Sequence, residues 1–233
     1  MSIKNNYKSV RKPRPVYGSV SGYFAFRGQD TIWFESTLER DLIQKLEFND
    51  NVMQVVSQPI EITYRTNLGN LSTYTPDLLV QFFESPLQQS PLLIEVKPRA
   101  KLRRDWKILK PKLKAGFQYA KDRGWDFRIY DEFRIRDTLL ANIQFLKRYR
   151  NSDFQKDESI QILNRLDDFG AHSVNGLANS LFKADQKILQ AIAHIWFLVE
   201  RRYISCDLTQ QLKPTTMIWV NNERKDDLIQ EYV

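Results

Sequence analysis

Asp77 follows Pro76 in the run Tyr-Thr-Pro-Asp-Leu-Leu-Val-Gln-Phe-Phe (74–83), and Glu95 and Lys97 stand in Leu-Leu-Ile-Glu-Val-Lys-Pro (92–98). Both runs are apolar, β-branched and aromatic, with a Ser/Pro/Gln loop between them, which predicts two neighbouring strands. Lys97 lies two residues after Glu95, so on a strand the two share one face. Solvated cross-strand charge pairs alternate with polar residues, whereas these charges interrupt apolar stretches and so point to a buried site. Two carboxylates and an ammonium on one sheet face are costly unless compensated, and a divalent metal compensates them directly.

A third carboxylate comes from upstream. The stretch from Thr37 to about Phe48 predicts a helix, and Ser36 with Glu39 has capping-box spacing, in which Glu39 reaches back to the N-cap amide. Leu42, Ile43 and Leu46 follow Glu39 at three, four and seven residues, which also places the glutamate on the apolar stripe. The pattern leaves cap and metal ligand both open, with Glu35 one turn earlier. Gln58–Tyr64 predicts a further strand, with Leu68-Gly-Asn turning toward Asp77. After Pro98, the segment from Arg99 to Lys114 holds Arg99, Lys101, Arg103, Arg104, Lys107, Lys110, Lys112 and Lys114 against Asp105 alone. Pro111 interrupts or restarts a helix there. Solvated helix faces mix signs, so these cations are expected to meet phosphates in a sequence-independent, salt-sensitive way. Trp125–Tyr130 predicts a closing strand. The order helix, strand, strand, strand, helix, strand is α/β with a mixed sheet.

At 233 residues and 42% hydrophobic content, the chain can bury a proper core and a second, smaller one. The +7 formal charge favours a polyanionic partner. No apolar run approaches the ~20 residues of a membrane span, and no signal-peptide core is seen. The single Cys206 excludes an internal disulfide and fits a packed thiol in a reducing compartment. With one Cys and only His172 and His194, zinc is not expected.

The domain reading is a basic flexible arm (1–15) carrying Lys4, Lys8, Arg11, Lys12 and Arg14, then a catalytic domain (16–150) that begins with a β-ribbon from Val16 to Phe34. Next comes a small domain (151–220) with helices near Glu158–Asp168, Val174–Phe182 and Ala184–Glu200. Strand-like runs follow at Tyr203–Leu208 and Thr215–Val220, a winged-helix-like pattern. A charged tail (221–233) ends the chain.

The Pro-Asp, loop, Glu-x-Lys arrangement resembles the restriction-endonuclease-like nucleases, whose carboxylates hold Mg²⁺ and whose lysine sits near the attacking water and the phosphate. Three blocks in order, Phe-Glu-Ser-Thr-Leu-Glu-Arg-Asp (34–41), Tyr-Thr-Pro-Asp-Leu-Leu-Val (74–80) and Ile-Glu-Val-Lys-Pro (94–98), resemble TnsA, the endonuclease subunit of heteromeric cut-and-paste transposases. The resemblance implies Glu39, Asp77 and Glu95 as ligands of one or two Mg²⁺ ions, with Mn²⁺ as a substitute, and Lys97 as the catalytic lysine. Some family members carry an amide where Glu95 stands. The resemblance further implies double-stranded DNA at transposon ends, nicked at the 5′ ends. The implied partners are a DDE-type transposase, TnsB, and an AAA+ regulator, TnsC, met through the C-terminal half in the bacterial cytoplasm and at no membrane. Arg99, Lys101, Arg103, Arg104, Lys107 and Lys110 are the expected DNA contacts. The alternatives are a stand-alone restriction or junction-resolving nuclease with the same site, or a non-catalytic winged-helix DNA-binding regulator.

Overall fold

In the computed structural model, which describes residues 7–11, 20–84 and 89–224, the chain forms two compact units, residues 1–136 and 137–233. Lys4, Lys12 and Arg14 of the basic arm, the start of the ribbon at Val16, and the tail beyond Arg224 lie outside the described residues. The described part of the arm is laid on the protein: the Val10 amide donates to Gln58 O at 3.0 Å, and Tyr7 meets Trp125 edge-on at 5.4 Å.

The first unit opens with the hairpin β1 (Gly22–Phe26) and β2 (Asp30–Phe34), turned by Arg27 and Gly28 at φ 50° and 69°. Helix α1 (Thr37–Glu47) follows from its Ser36 cap. Arg27 ties down the chain after it, donating to Asn49 O and Val52 O at 2.7 Å each. Then come β3 (Val52–Ser57), the hairpin β4 (Ile62–Arg65) and β5 (Leu71–Tyr74), and the two strands read around the acids, β6 (Leu78–Phe82) and β7 (Leu92–Val96). Helix α2 (Arg99–Lys121), strand β8 (Asp126–Tyr130) and the short helix α3 (Glu132–Ile135) complete the unit. The main sheet runs β3-β6-β7-β8, antiparallel except for the parallel pair β7–β8. It is the mixed sheet that the element order predicts.

Two details depart from the sequence pattern. The strand expected over Gln58–Tyr64 begins only at Ile62, because Gln58 takes a left-handed φ of 48° and turns the chain. The strand that pairs with β6 is instead β3, which the pattern does not announce: it is covered on both sides and so lacks the alternation of a half-buried strand.

Leu109, Leu113, Gly116 and Ala120 form the buried stripe of α2 at helical spacing. Beneath the helix, Val56, Ile60, Ile62, Tyr74, Leu79, Leu93 and Ala120 share one core, with Phe127 and Trp125 packed against it. α2 is two helical stretches joined across a kink at Asp105 (φ −105°, ψ 15°), and the break falls there and not at Pro111. Pro111 has no amide for the carbonyl four residues back, and Asn67 Nδ2 fills that role, donating to Lys107 O at 2.6 Å.

The second unit holds α4 (Thr138–Leu146), α5 (Lys156–Phe169), the two-residue strand β9 (His172–Ser173), α6 (Val174–Leu181), α7 (Asp185–Glu200), β10 (Ile204–Cys206) and β11 (Met217–Val220). Its sheet runs β10-β11-β9, so a third short strand joins the expected pair. The units divide after Arg136 and not at residue 150. The reason is α4: Asn142 donates to Leu208 O and Gln210 O at 2.9 and 2.7 Å and accepts from the Leu212 amide, while Phe145 packs edge-on to Trp196 at 5.3 Å. His194 is buried against Ser159 Oγ (2.7 Å) and stacked on Phe154, and burial pulls its pKa to about 4. Cys206 is a half-buried thiol pushed up to about 11 by burial, as a packed cysteine should be. Among the described residues, no helix is long and apolar enough to cross a membrane.

A fragment of residues 1–136 should therefore melt cooperatively, followed by circular dichroism. A fragment of 1–150 should bind a hydrophobic dye and aggregate, because α4 then carries Leu140, Ile143 and Leu146 without their partners. Equal behaviour of the two fragments would count against the division at Arg136.

Candidate active site

Asp77 stands at the turn between β5 and β6, one residue before the strand and not inside it. The ladder still holds its backbone, with its amide donating to Ile94 O at 3.0 Å and its carbonyl accepting from Gln58 N at 2.8 Å. Glu95 is in β7, and Lys97 follows the end of that strand, its amide donating to Tyr130 O at 3.0 Å. The period-two reading is met. Lys97 Nζ lies 3.0 Å from Glu95 Oε1 and 3.3 Å from Asp77 Oδ2, and it donates to Val96 O at 2.9 Å. Asp77 Oδ2 also accepts from the Val96 amide at 2.6 Å.

Glu95 has two further partners. The Tyr74 hydroxyl donates to Oε2 at 2.6 Å, and Lys112 Nζ reaches Oε1 at 2.9 Å. Lys112 was expected among the phosphate-facing cations, but it turns inward. The signal for this lay in the helix period: position 112 falls three residues after Leu109 and four before Gly116, at the edge of the buried stripe. Tyr74 carries no such signal, since its role depends on which strand end meets which.

Glu39 acts at the helix cap. Its amide donates to Ser36 Oγ at 3.2 Å, its Oε1 accepts from the Ser36 hydroxyl at 2.8 Å, and its Oε2 accepts from the Glu35 amide at 2.8 Å. The carboxylate thus reaches one residue beyond the N-cap amide. It is nonetheless part of the same electrostatic cluster, since Asp77 and Lys97 both feel its charge.

Burial pushes Asp77 up to about 7, the Glu95 charge adding to it and Lys97 opposing it. Burial raises Glu39 as well, against its cap bonds. Burial would also raise Glu95, but Lys97, Lys112 and the Tyr74 hydroxyl outweigh it and hold its carboxyl below the ordinary value. Lys97 is raised by Asp77 and Glu95 against the effect of its own burial. Three carboxylates (Glu39, Asp77, Glu95) face two ammonium groups (Lys97, Lys112), so one negative charge is in excess when all are ionised. A proton on Asp77 is one way to remove that charge, and a bound cation is another. Among the described residues, no three Asp, Glu, His or Cys side chains converge as a ready-made metal site, because Lys97 bridges Asp77 and Glu95 while Glu39 stays in its cap. The donor set still fits a hard divalent ion in chemistry and sign: it is all oxygen, anionic in sum, and free of thiolate and imidazole.

The basic segment divides on α2. Lys101, Arg103, Lys107 and Lys110 are exposed. Arg104 pairs with its neighbour Asp105 at 2.9 Å. Arg99 donates to Asp131 at 2.8 Å and covers the Phe133 ring, so it helps fix the helix start as well as presenting charge.

The first unit is a mixed-sheet α/β domain. Residues 49–132 match the family model for the TnsA-like endonuclease N terminal, and residues 134–208 match that for the TnsA endonuclease C terminal. The chain belongs to the TnsA-type transposon endonucleases and is a transposase endonuclease subunit. Asp77, Glu95 and Lys97 fall inside the first matched segment, and Glu39 precedes it. A comparison with curated proteins finds no match.

Replacing Arg103 and Lys107 with Ala should weaken DNA binding equally for all sequences and flatten the log–log salt dependence by about 0.9 per lost phosphate contact. Fluorescence anisotropy over a salt series reads this, and an unchanged slope would mean that this face meets something other than phosphate.

Proposed function

We propose that this chain is the Mg²⁺-dependent DNA endonuclease of a heteromeric cut-and-paste transposase, hydrolysing phosphodiester bonds at the 5′ ends of the element. The observation that carries the reading is the cluster of half-buried Asp77 and Lys97 with buried Glu95, which stands within the segment matched to the TnsA-like N-terminal endonuclease. Asp77 and Glu95 would hold the ion, with Glu39 joining them by exchanging its cap bonds. When bound, the ion supplies Lewis acidity and a water of lowered pKa. Mn²⁺ has the same preference for oxygen donors and should substitute. Lys97 offers an ammonium to the phosphate as negative charge builds there, a contribution on the scale of one preorganised donor, roughly 10²- to 10³-fold in rate. The exposed cations of α2 hold the DNA backbone without reading its sequence.

The second unit supplies assembly in this reading. Helices α5 to α7 followed by β10 and β11 support a winged-helix-like module. A cavity of about 320 Å³ beside those helices, lined by Phe154, Ile162, Leu181, Phe182, Ala191 and His194 together with Glu158, Gln161, Lys187 and Gln190, suits a side chain of a protein partner with an apolar body. The partners would be the TnsB-type transposase, which cuts and joins the 3′ ends, and the TnsC-type ATPase. A match to both TnsA segments favours this assembly over a stand-alone nuclease.

The test is cleavage of a transposon-end duplex in Mg²⁺, with and without the partner transposase. Asp77→Asn should abolish cleavage while leaving DNA binding intact, with thermal stability held or slightly raised without metal. The amide keeps an oxygen for the Val96 N–H and removes one charge from an over-acidic cluster. An Asp77→Asn chain that cuts at the wild-type rate would remove the assignment.

A further inference from the structure

An ammonium group has three N–H donors. Lys97 has three acceptors within reach, Asp77 Oδ2 at 3.3 Å, Glu95 Oε1 at 3.0 Å and Val96 O at 2.9 Å. It donates to Asp77 and Val96 and is ion-paired with Glu95, so to bring its charge onto a phosphate oxygen it must draw away from an existing partner. Surrendering Glu95 would be prohibitive for most buried carboxylates, because an ionised group 1% exposed cannot be left without a counter-charge. Here Glu95 is covered twice. Lys112 Nζ reaches the same Oε1 at 2.9 Å, and the Tyr74 hydroxyl holds Oε2 at 2.6 Å.

The placement of Lys112 is built into α2. One turn further along, Gly116 lets the helix close on the sheet, and a Cβ there would come within 2.9 Å of both the Phe127 and Tyr74 rings. Lys112 Nζ also lies 4.8 Å from the centre of the Tyr74 ring, so ring, hydroxyl and ammonium form one support for Glu95.

We propose that Lys112 is a positioning residue of the nuclease site: it holds Glu95 in place through Oε1, which releases Lys97 to act on the phosphate. The proposal rests on the nuclease reading above and assigns a division of labour to the two lysines that share one carboxylate oxygen. Lys97 stands at the strand end and exchanges partners. Lys112 stays.

The experiment compares the full wild-type chain with Lys112→Met, which keeps the stem and removes the charge, and with Lys112→Arg, which keeps the charge. Two quantities are read, Mn²⁺ affinity by titration calorimetry without DNA and cleavage of the transposon-end duplex with the partner transposase. In Lys112→Met, cleavage should fall by about 10- to 100-fold, less than the loss of a directly acting donor. Mn²⁺ should bind at least as tightly, because a competing cation has gone. Lys112→Arg should restore most of the cleavage. These opposite movements are not what a folding defect produces. Unchanged cleavage in Lys112→Met overturns the proposal. So does a joint loss of metal affinity, thermal stability and cleavage, which would make Lys112 a structural ion-pair partner. If the wild-type chain neither binds Mn²⁺ nor cuts, the nuclease reading itself fails, and that result is visible before any variant is made.

Discussion

The Lys97 ammonium donates to Asp77 and to the carbonyl of Val96 and is ion-paired with Glu95, in a place largely removed from water. Bringing three carboxylates and two ammonium groups to one end of a sheet is unfavourable in isolation. Breaking a buried ion pair by removing one partner typically costs about 3–5 kcal/mol. Much of the first unit's architecture answers that constraint. The β6–β7 ladder holds Asp77 through its neighbours' backbones, the Val96 amide fixes one of its oxygens, and Tyr74 arrives from β5 to fix Glu95. The cluster keeps an excess of negative charge when fully ionised, and burial first, with the Glu95 charge adding to it, pushes the Asp77 carboxyl up to about 7. In the proposed function, that excess is what a bound cation would offset.

Helix α2 brings Lys112 to the site and leaves Lys101, Arg103, Lys107 and Lys110 exposed, and its sequence alone suits neither task well. Its first turn has no acid and its Pro98 cap offers no side-chain bond, an arrangement that the helix dipole disfavours by about 0.3–1 kcal/mol for each poorly placed charge. The compensation comes from elsewhere in the fold: Glu132 accepts from the Arg99 amide at 2.8 Å, and Asp131 takes the Arg99 guanidinium. Pro111 leaves a carbonyl without its helical partner, and Asn67 from the β4–β5 turn supplies one. Each repair joins α2 to a different part of the sheet's surroundings, so the helix that faces DNA in the proposed function is also rigidly seated over the chemistry.

The second unit has its own logic. Its helices pack a core around Leu163, Leu166, Leu177 and Ile195, with His194 buried neutral inside it. Asn142 of α4 satisfies three backbone groups of the segment before β11, which binds that helix to the C-terminal part of the chain although it follows the first unit closely in sequence. The matched TnsA C-terminal segment begins at residue 134, close to the structural division.

Much was legible from residue order because it rests on local physics. Period-two spacing put Glu95 and Lys97 on one face, capping-box spacing started α1 at Ser36, and acids interrupting apolar runs marked a buried site. The mixed sheet followed from the order of elements, and three sequence blocks carried the family. What the chain's pattern could not supply is anything decided by contact between distant segments. β3 was hidden because both its faces are covered, and Gln58 turned left-handed where a strand was expected. The end of the first unit moved from residue 150 to Arg136 because the partners of Asn142 in α4 lie 66 to 70 residues onward. Of the two readings of Glu39, the hydrogen bonds show the cap, and its charge is also felt at Asp77. Lys112 left the basic face for Glu95 because Gly116 allows α2 to approach, and no local rule says what a helix will find across a glycine until the sheet beneath it is in place.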